Sequence, residues 1–247
     1  GSRVKTALMA CYMKMFIKSG MIENVTHWLA ISDFMREQFI RAGISADRIT
    51  TLRHCRDIPE QIEEVDDQGY FLFLGRLVRE KGCLLLIETW KLLREELGTR
   101  CPRLLIAGSG PCEEEMKKQA KDCEEIEFLG FVSGVGKQEI LAGCRALLAP
   151  SIWWEPLGLI AYDGYEYGKP VLAARSGGLI EVIEEANGGF LHEPGNAREL
   201  AEQVVTVEQM ASSERREIGM RGRSWLVKQG SPGHWRRRLS MILESCS

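Results

Sequence analysis

The chain has 247 residues and a formal net charge of −3, with 45% hydrophobic and 27% charged residues. These proportions are typical of a globular protein with one substantial core, and the slightly acidic balance argues against a nucleic-acid-binding protein. Its longest apolar runs are far shorter than the roughly 20 residues that a membrane helix needs. The eight cysteines form no C-x-x-C pair, and the four histidines have no zinc-ligand spacing. We therefore expect reduced cysteines, no metal site and a cytoplasmic location.

The first 56 residues predict too little sheet for a domain of their own. The pattern indicates an amphipathic helix at 4–18, a strand at 27–31, a helix from the Ser32 cap to Arg41, and a strand at 49–52. For the basic helix at 4–18, two interpretations stay open, contact with a membrane surface and packing on its own domain. The next residues, 57–68, are acidic and poor in apolar side chains, which indicates a linker.

From residue 69 onward, short β-rich runs alternate with helical stretches. The predicted strands are 70–74, 103–107, 126–129, 146–149, 171–173 and 189–192. The predicted helices are 80–97, 111–122, 137–143, 156–167 and 179–185, followed by three closing helices at 197–207, 212–229 and 232–243. Because parallel neighbouring strands need long crossovers, this alternation predicts an α/β fold with a doubly wound, Rossmann-like parallel sheet.

The sequence "FLFLGRLVREKG" passes from a predicted strand into a predicted helix through Gly75 and Arg76, with Lys81 near the helix start. In a doubly wound sheet such a turn lies at the carboxyl edge, where ligands bind, and a helix N-terminus attracts phosphate. Arg76 adds a bidentate cation and Lys81 a point charge, a pair suited to a diphosphate. The alternative is that both are solvated surface charges.

The sequence "LLIAGSGP" places Gly108, Ser109 and Gly110 in a second turn of this kind. The third glycine of a dinucleotide-binding fingerprint is missing, since Pro111 follows directly. A plain tight turn is therefore one interpretation, and a further loop with exposed backbone at the same sheet edge is the other.

The sequence "SIWWEPLGLIAYDGYEYGKP" holds the most specific candidate site. Pro156 suits the first position of a helix, so that Glu155 becomes the cap and three first-turn amides are free to hold phosphate or sugar oxygens, those of Leu157, Gly158 and Leu159. Glu155 can also accept hydrogen bonds from sugar hydroxyls. Asp163 follows roughly 12 Å further along such a helix, so the two carboxylates suit opposite ends of one elongated ligand. The alternatives are that Glu155 is a simple capping carboxylate and that Asp163 is a surface residue.

Two tryptophans, Trp153 and Trp154, directly precede Glu155. We interpret them as packing residues that form the wall beneath this loop, and not as platforms on which a base stacks.

These stretches, together with "IEFLGFVS" and "GGFL", occur in the order and spacing of the C-terminal half of family-4 retaining glycosyltransferases (glycosyl transferases group 1). The chain resembles that family from about residue 69 to 195, and "WLAISDFMREQFIRAGISADRITTL" is similar to the end of the family's N-terminal domain. The resemblance implies one half of a GT-B fold. Residues 1–56 are then a remnant of the N-terminal acceptor-side domain, 57–68 a linker, 69–230 the nucleotide-sugar-binding domain, and 231–247 a helix that crosses back.

The resemblance also implies roles for individual residues. Gly75, Arg76 and Lys81 match the family's diphosphate-binding turn, and Glu155 matches the carboxylate that contacts the transferred sugar. Asp163 stands where the family usually has a glutamate that binds the ribose, so a longer or water-mediated contact is implied. The predicted catalytic residues are Glu155, Arg76 and Lys81. The predicted substrate-binding residues are Gly75, Gly108, Gly110, Phe131, Val132, Pro156, Leu157, Gly158, Leu159 and Asp163, with Phe131 and Val132 at the backbone that contacts the base.

The implied reaction transfers a sugar, with retention of anomeric configuration, from a nucleoside diphosphate sugar to a sugar, glycan or lipid-linked glycan acceptor. A UDP-sugar is the donor that the family favours, and neither a cofactor nor a metal is implied. Because the other half of the fold usually contacts the acceptor, we expect this chain alone to bind donor and to transfer little. A non-catalytic nucleotide-sugar-binding module and a sugar-nucleotide epimerase of the same fold are the alternatives. The cytoplasm is the expected location, with the inner face of the membrane as an alternative site.

Overall fold

The computed structural model describes residues 7–9, 11, 12, 15, 19, 20, 23–62 and 65–246. The helix predicted at 4–18 lies largely outside these residues. Two short parallel strands, β1 (Trp28–Ala30) and β2 (Ile49–Thr51), flank helix α1 (Asp33–Arg41). The predicted helix cap is confirmed, since Ser32 Oγ accepts a hydrogen bond from the Met35 amide at 3.0 Å.

Six parallel strands form the main sheet. They are β3 (Tyr70–Leu74), β4 (Arg103–Ala107), β5 (Ile126–Gly130), β6 (Ala146–Ala149), β7 (Val171–Ala174) and β8 (Gly189–His192). Their spatial order is β5-β4-β3-β6-β7-β8, and all neighbouring pairs are parallel. The predicted doubly wound, Rossmann-like sheet is therefore confirmed.

Helices cover both faces of this sheet. They are α2 (Cys83–Leu97), α3 (Glu113–Gln119), α4 (Gly134–Gly143), α5 (Leu159–Glu166), α6 (Gly178–Ala186), α7 (Ala197–Gln209), α8 (Ser212–Gly230) and α9 (Pro232–Ser245). Alternate residues of β3 enter different cores, since Phe71 and Phe73 pack with α2 and α7, whereas Leu72 packs with α5, α6 and α8. Burial of both faces explains why the strands are apolar throughout.

The last two helices connect distant parts of the chain. α8 crosses α5 closely, because Gly222 lies where a Cβ would come within 2.3 Å of the Tyr165 ring. α9 returns toward the N-terminal elements, and Arg238 Nη2 donates to the Thr51 carbonyl of β2 at 3.2 Å. The described residues of 57–68 form neither helix nor strand. The division into 1–56, 57–68, 69–230 and 231–247 stays a prediction.

Several helix boundaries differ from those predicted. The helix predicted from residue 80 begins at Cys83, because Gly82 adopts the left-handed conformation at φ 69° and ends the preceding 3-10 turn. The helix predicted from residue 156 begins at Leu159, after left-handed Gly158 at φ 85°. The helix predicted at 111–122 is the shorter α3, and α4 starts three residues before the predicted residue 137. Glycines in the left-handed conformation thus make two of the helices start later than predicted.

None of the helices in the described part of the chain is both long enough and apolar enough to cross a bilayer. The same residues contain no group of three or more His, Cys, Asp or Glu placed to hold a metal ion. All eight cysteines are unpaired thiols, and five of them are buried. Burial raises the pKa of the Cys101 and Cys144 thiols to about 12, which keeps both protonated at neutral pH.

Candidate functional site

The candidate site lies where the chain reverses its direction across the sheet. From β3 the chain adds β4 and β5 on one side, and from β6 it adds β7 and β8 on the other. Because β3 and β6 are neighbours, the loops that follow them, 75–82 and 150–158, meet at the carboxyl edge. Ligands of open parallel sheets bind at this switch point. The predicted catalytic residues Arg76, Lys81 and Glu155 all lie in these two loops.

Lys81 and Glu155 form an ion pair between the two loops. Lys81 Nζ and the hydroxyl of Ser151 both donate to Glu155 Oε1. Gly82 makes this approach possible, since a Cβ there would lie only 1.9 Å from the Pro150 carbonyl oxygen. A residue with a side chain would hold the two loops apart and separate Lys81 from Glu155.

Glu155 is only 7% exposed, yet one of its oxygens remains available to a ligand. Both protein contacts are to Oε1, and Oε2 has no partner among the described residues. The Lys81 ammonium neutralises the buried carboxylate without using its second acceptor. Oε2 can therefore accept a hydrogen bond from a ligand hydroxyl.

The loop that contains Glu155 is fixed by hydrogen bonds on both sides. The Trp153 amide donates to the Glu80 carbonyl at 3.2 Å, and the Trp153 carbonyl accepts from Ser176 Oγ. The Gly178 amide donates to the Glu155 carbonyl at 2.6 Å. The carboxylate is thus presented from a rigid loop, which suits precise contact with a ligand.

Arg76 is exposed at the same edge, and its guanidinium has no partner in the described part of the chain. The turn that contains it packs tightly against the loop after β4. A Cβ at Gly108 would lie 1.8 Å from the Gly75 carbonyl oxygen, and one at Gly110 would lie 2.4 Å from the Leu77 carbonyl oxygen. Close loop packing therefore accounts for both glycines, which favours the tight-turn interpretation, and Arg76 is available to an anionic ligand.

The predicted placement of Pro156 at the first position of a helix is wrong, because left-handed Gly158 precedes α5. Glu155 is accordingly not the helix cap. Leu157 is buried, and the amides that the first turn offers begin at Leu159. The helix N-terminus remains at the carboxyl edge, where its amides favour an anion, but it starts later than predicted.

Asp163 lies on α5, where two cations hold one of its oxygens. Asp163 Oδ1 accepts from Arg56 Nη1 at 2.9 Å and from Lys137 Nζ at 3.2 Å. Its Oδ2 has no partner within the described residues, so this carboxylate repeats the pattern found at Glu155. The expected separation of the two carboxylates along one helix is wrong, since α5 begins only at Leu159.

Three further groups orient these carboxylates without having been predicted from the sequence, namely Ser151, Arg56 and Lys137. Arg56 and Lys137 lie 107 and 26 residues from Asp163 along the chain, so no local pattern connects them to it. Ser151 was within the motif itself, four residues before Glu155, and its hydroxyl was the one signal that could have been used.

The apolar residues predicted near the site are largely exposed. Trp153 is 63% and Trp154 64% exposed, so the interpretation of both as packing residues is wrong for most of their surface. Trp154 contacts Phe34 edge to face, with the ring centroids 5.7 Å apart. Phe131 is exposed and Val132 half-buried, directly after β5. These side chains add exposed apolar surface to the carboxyl edge.

The chain has recognisable relatives. The family model described as Glycosyl transferases group 1 matches residues 56–225. The chain is 32% identical over 139 residues to an uncharacterized glycosyltransferase of Methanocaldococcus jannaschii, covering 55% of this chain and 35% of that protein. It is 31% identical over 186 residues to the D-inositol 3-phosphate glycosyltransferase of Pseudarthrobacter chlorophenolicus, covering 72% of this chain and 43% of that protein. The chain thus spans less than half the length of both relatives.

A solved structure has the same fold. The crystal structure of Anabaena HepE in complex with UDP and glucose matches with a TM-score of 0.74 at 21% identity, over 89% of this chain and 63% of that one. The six-stranded sheet with helices on both faces therefore belongs to a GT-B fold. Together with the family match over more than half of the chain, this shows that the chain belongs to the glycosyl transferases group 1 family.

Proposed function

We propose that this chain is the donor-binding part of a retaining glycosyltransferase that takes its sugar from a nucleoside diphosphate sugar, namely a UDP-sugar. The observation that carries the proposal is the Lys81–Glu155 pair at the switch point of the sheet, with one carboxylate oxygen held and the other free. Relatives that are named glycosyltransferases, and the HepE structure with UDP and glucose, support it.

The proposed roles follow from the charges. Glu155 Oε2 accepts a hydrogen bond from a hydroxyl of the transferred sugar. As the bond between the anomeric carbon and the diphosphate breaks, negative charge grows on the leaving diphosphate. Arg76 and Lys81 stabilise that charge as a bidentate fork and a point charge, aided by the amides at the start of α5. Donors fixed in advance at such an edge lower the barrier because they need no reorganisation.

Asp163 holds the nucleoside end of the donor. Arg56 and Lys137 fix the carboxylate through Oδ1, and Oδ2 accepts from a ribose hydroxyl. The backbone at Phe131 and Val132 contacts the base, and Gly75, Gly108 and Gly110 let the loops approach the diphosphate closely. The acceptor, a sugar, glycan or lipid-linked glycan, contacts parts of the longer protein, so this chain alone binds donor and transfers little.

The test is calorimetric titration of the chain with UDP, GDP and ADP. We expect one nucleotide, UDP, to bind best, and expect Lys81→Gln and Arg76→Gln each to weaken binding about tenfold, since each removes a charge-assisted contact. Lys118→Gln and Arg100→Gln are matched controls, because both residues are exposed and have no side-chain partner among the described residues. Equal affinities in the test and control variants overturn the proposed site.

Two further results separate the alternatives. Transfer is assayed on the full-length protein with a UDP-sugar. A glycoside product supports a transferase, and its anomeric configuration decides retention. An epimerised nucleotide sugar supports the epimerase. Donor binding without any product supports a non-catalytic binding module.

A further inference from the structure

A cavity of about 940 Å³ lies at the amino edge of the six-stranded sheet, opposite the candidate donor site. Its walls are the residues that precede β3, β6 and β7 and the first turns of α8, including Asp67, Arg145, Lys169, Ser213 and Arg223. The volume lies within the range of roughly 300 to 1,000 Å³ that is typical of small-molecule sites. No residue of the proposed donor site lines it.

Two cations in this cavity have no ion-pair partner among the residues that the structure describes. Lys169 is half-buried, and its ammonium has no hydrogen-bond or ion-pair partner in the described part of the chain. Burial lowers the pKa of this ammonium. Arg223 is 5% exposed, and within the described part of the chain its guanidinium donates only to the carbonyls of Glu166 and Pro59. A buried charge without a partner costs free energy, so both positions favour an anion.

The two cations share one wall of the cavity. Arg223 binds the carbonyl of Glu166, which lies three residues before Lys169 on the turn between α5 and β7. α8 approaches this turn so closely that a Cβ at Gly219 would lie 1.8 Å from the Gly168 carbonyl oxygen. Lys169 and Arg223 therefore lie on the same side of the cavity.

The other buried charges in the cavity compensate one another. Asp67 binds Arg145 at 2.9 Å and Arg215 at 2.7 Å, and Arg145 also binds Glu208. The remaining acidic groups of the described lining, Glu60 and Asp66, are exposed to solvent and are screened by it. Among the described residues, the uncompensated positive charge in the interior of the cavity therefore comes from Lys169 and Arg223.

The start of α8 adds neutral donors on the same side. Ser213 belongs to the first turn of this 19-residue helix and lines the cavity, and its hydroxyl has no partner among the described residues. The helix N-terminus also favours negative charge. A dianionic group with several acceptor oxygens fits this set of donors better than a carboxylate does.

We propose that the amino-edge cavity binds a phosphate monoester. Its dianion matches the two cations, and its oxygens match the remaining N–H groups of Arg223, the Lys169 ammonium and the Ser213 hydroxyl. The same headgroup occurs in soluble sugar or polyol phosphates and in phosphatidic acid. The site is separate from the donor site and does not depend on the proposed transfer reaction.

The experiment titrates the chain with inorganic phosphate, with glycerol 3-phosphate and with phosphatidic acid vesicles, using phosphatidylcholine vesicles as the blank. Lys169→Gln is the main variant, because the Lys169 side chain makes no hydrogen bond or ion pair with the described residues, so we expect the variant to fold. We expect it to weaken phosphate binding about tenfold, and expect Lys118→Gln, an exposed lysine on α3, to change nothing. Arg223→Gln is the second variant, with circular dichroism to verify its fold.

The outcomes distinguish the source of the phosphate group and the location of the site. Tighter binding of glycerol 3-phosphate supports a soluble ester, and binding of phosphatidic acid vesicles alone supports a lipid headgroup. Phosphate affinity that survives Lys81→Gln but falls with Lys169→Gln assigns the ion to this cavity. No binding, equal affinity in Lys169→Gln and Lys118→Gln, or binding lost with Lys81→Gln overturns the proposal.

Discussion

At the scale of single residues, the candidate site depends on a charge that the protein buries and neutralises. Lys81→Met leaves the Glu155 carboxylate, whose side chain is only 9% exposed, with Ser151 as its one partner among the described residues. We expect the free energy of unfolding to fall by about 2 kcal/mol, because an unpaired buried charge is costly. Urea denaturation measures this change, and the exposed Lys118→Met is the control.

A double-mutant cycle tests the cause of that loss. Lys81→Met combined with Glu155→Gln removes both charges, so the double variant should be more stable than Lys81→Met alone. If the two single losses simply add, the ion pair makes no energetic contribution and the contact is incidental.

Gly82 is the backbone position on which this pair depends. Gly82→Ala places a Cβ 1.9 Å from the Pro150 carbonyl oxygen and forces a side chain into the left-handed conformation at φ 69°. We expect a loss of at least about 3 kcal/mol in the free energy of unfolding, because backbone strain and a clash combine. Gly195→Ala is the matched control, with φ 80° and open space around its Cβ, and should lose only about 1 kcal/mol. Equal losses of unfolding free energy in the two variants would show that the close approach of the two loops is not what requires glycine at residue 82.

At this scale the sequence indicated candidate residues for the site but not what they contact. Lys81 and Glu155 were identified as candidates, yet their contact spans 74 residues and depends on the adjacency of β3 and β6. Arg56 was assigned to the end of an N-terminal remnant, and only the tertiary fold brings it to Asp163. Long-range pairing of charges has no local sequence signal.

At the scale of elements, strands were easier to predict than helix ends. The four strands β3, β4, β6 and β8 have the predicted bounds, because short buried runs between turn residues have clear limits. The start of α5 was misplaced because Pro156 favours a first helical position, whereas Gly158 adopts a left-handed conformation that no propensity scale indicates. A glycine can lie inside a helix, cap its end, or allow two loops to approach each other closely. Tertiary packing decides which of these applies.

A residue of strand β8 predicts how the stability of the fold depends on pH. The strand ends at His192, which is fully buried, with Nδ1 at 3.0 Å from the Glu193 carbonyl oxygen and Nε2 unpartnered within the described residues. Burial lowers the pKa of this imidazole in the folded state. The unfolded chain, with its pKa near 6.5, therefore takes up the proton first as pH falls. The stability that neutral His192 contributes is complete above about pH 6.5 and is lost as pH falls toward the folded-state pKa.

The comparison with His192→Gln isolates this effect. The difference in free energy of unfolding between the native chain and the variant, measured by urea denaturation from pH 7.5 to pH 5, should shrink on acidification. Other titrating groups, including Glu181, whose pKa is raised by burial, are present in both proteins and cancel. A constant difference across this range would mean that the His192 pKa is the same in the folded and unfolded chain, as for a solvated imidazole.

At the scale of the whole molecule, the N-terminal unit, residues 28–53, attaches to the main sheet domain through α6. Glu181 of α6 accepts hydrogen bonds from the Asp33 and Phe34 amides at 3.0 and 3.2 Å, so a carboxylate of one part stabilises the first turn of α1 in the other. Arg53 adds an ion pair with Glu185 at 2.7 Å. These contacts set the position of Phe34 against Trp154, and hence of the unit beside the candidate site.

Glu181→Ala should therefore loosen the N-terminal unit and leave the main sheet intact. Removing two charge-assisted hydrogen bonds is expected to reduce hydrogen-exchange protection of the α1 amides at least about tenfold, with β3 and β4 unchanged. Glu184→Ala on the same helix is the control, since Glu184 is mostly exposed and pairs only with the exposed Arg175. If α1 keeps its protection in Glu181→Ala, the unit is held by its apolar contacts alone. If β3 and β4 also lose protection, the unit and the sheet unfold together, and residues 28–53 then belong to the same cooperative domain as the candidate site.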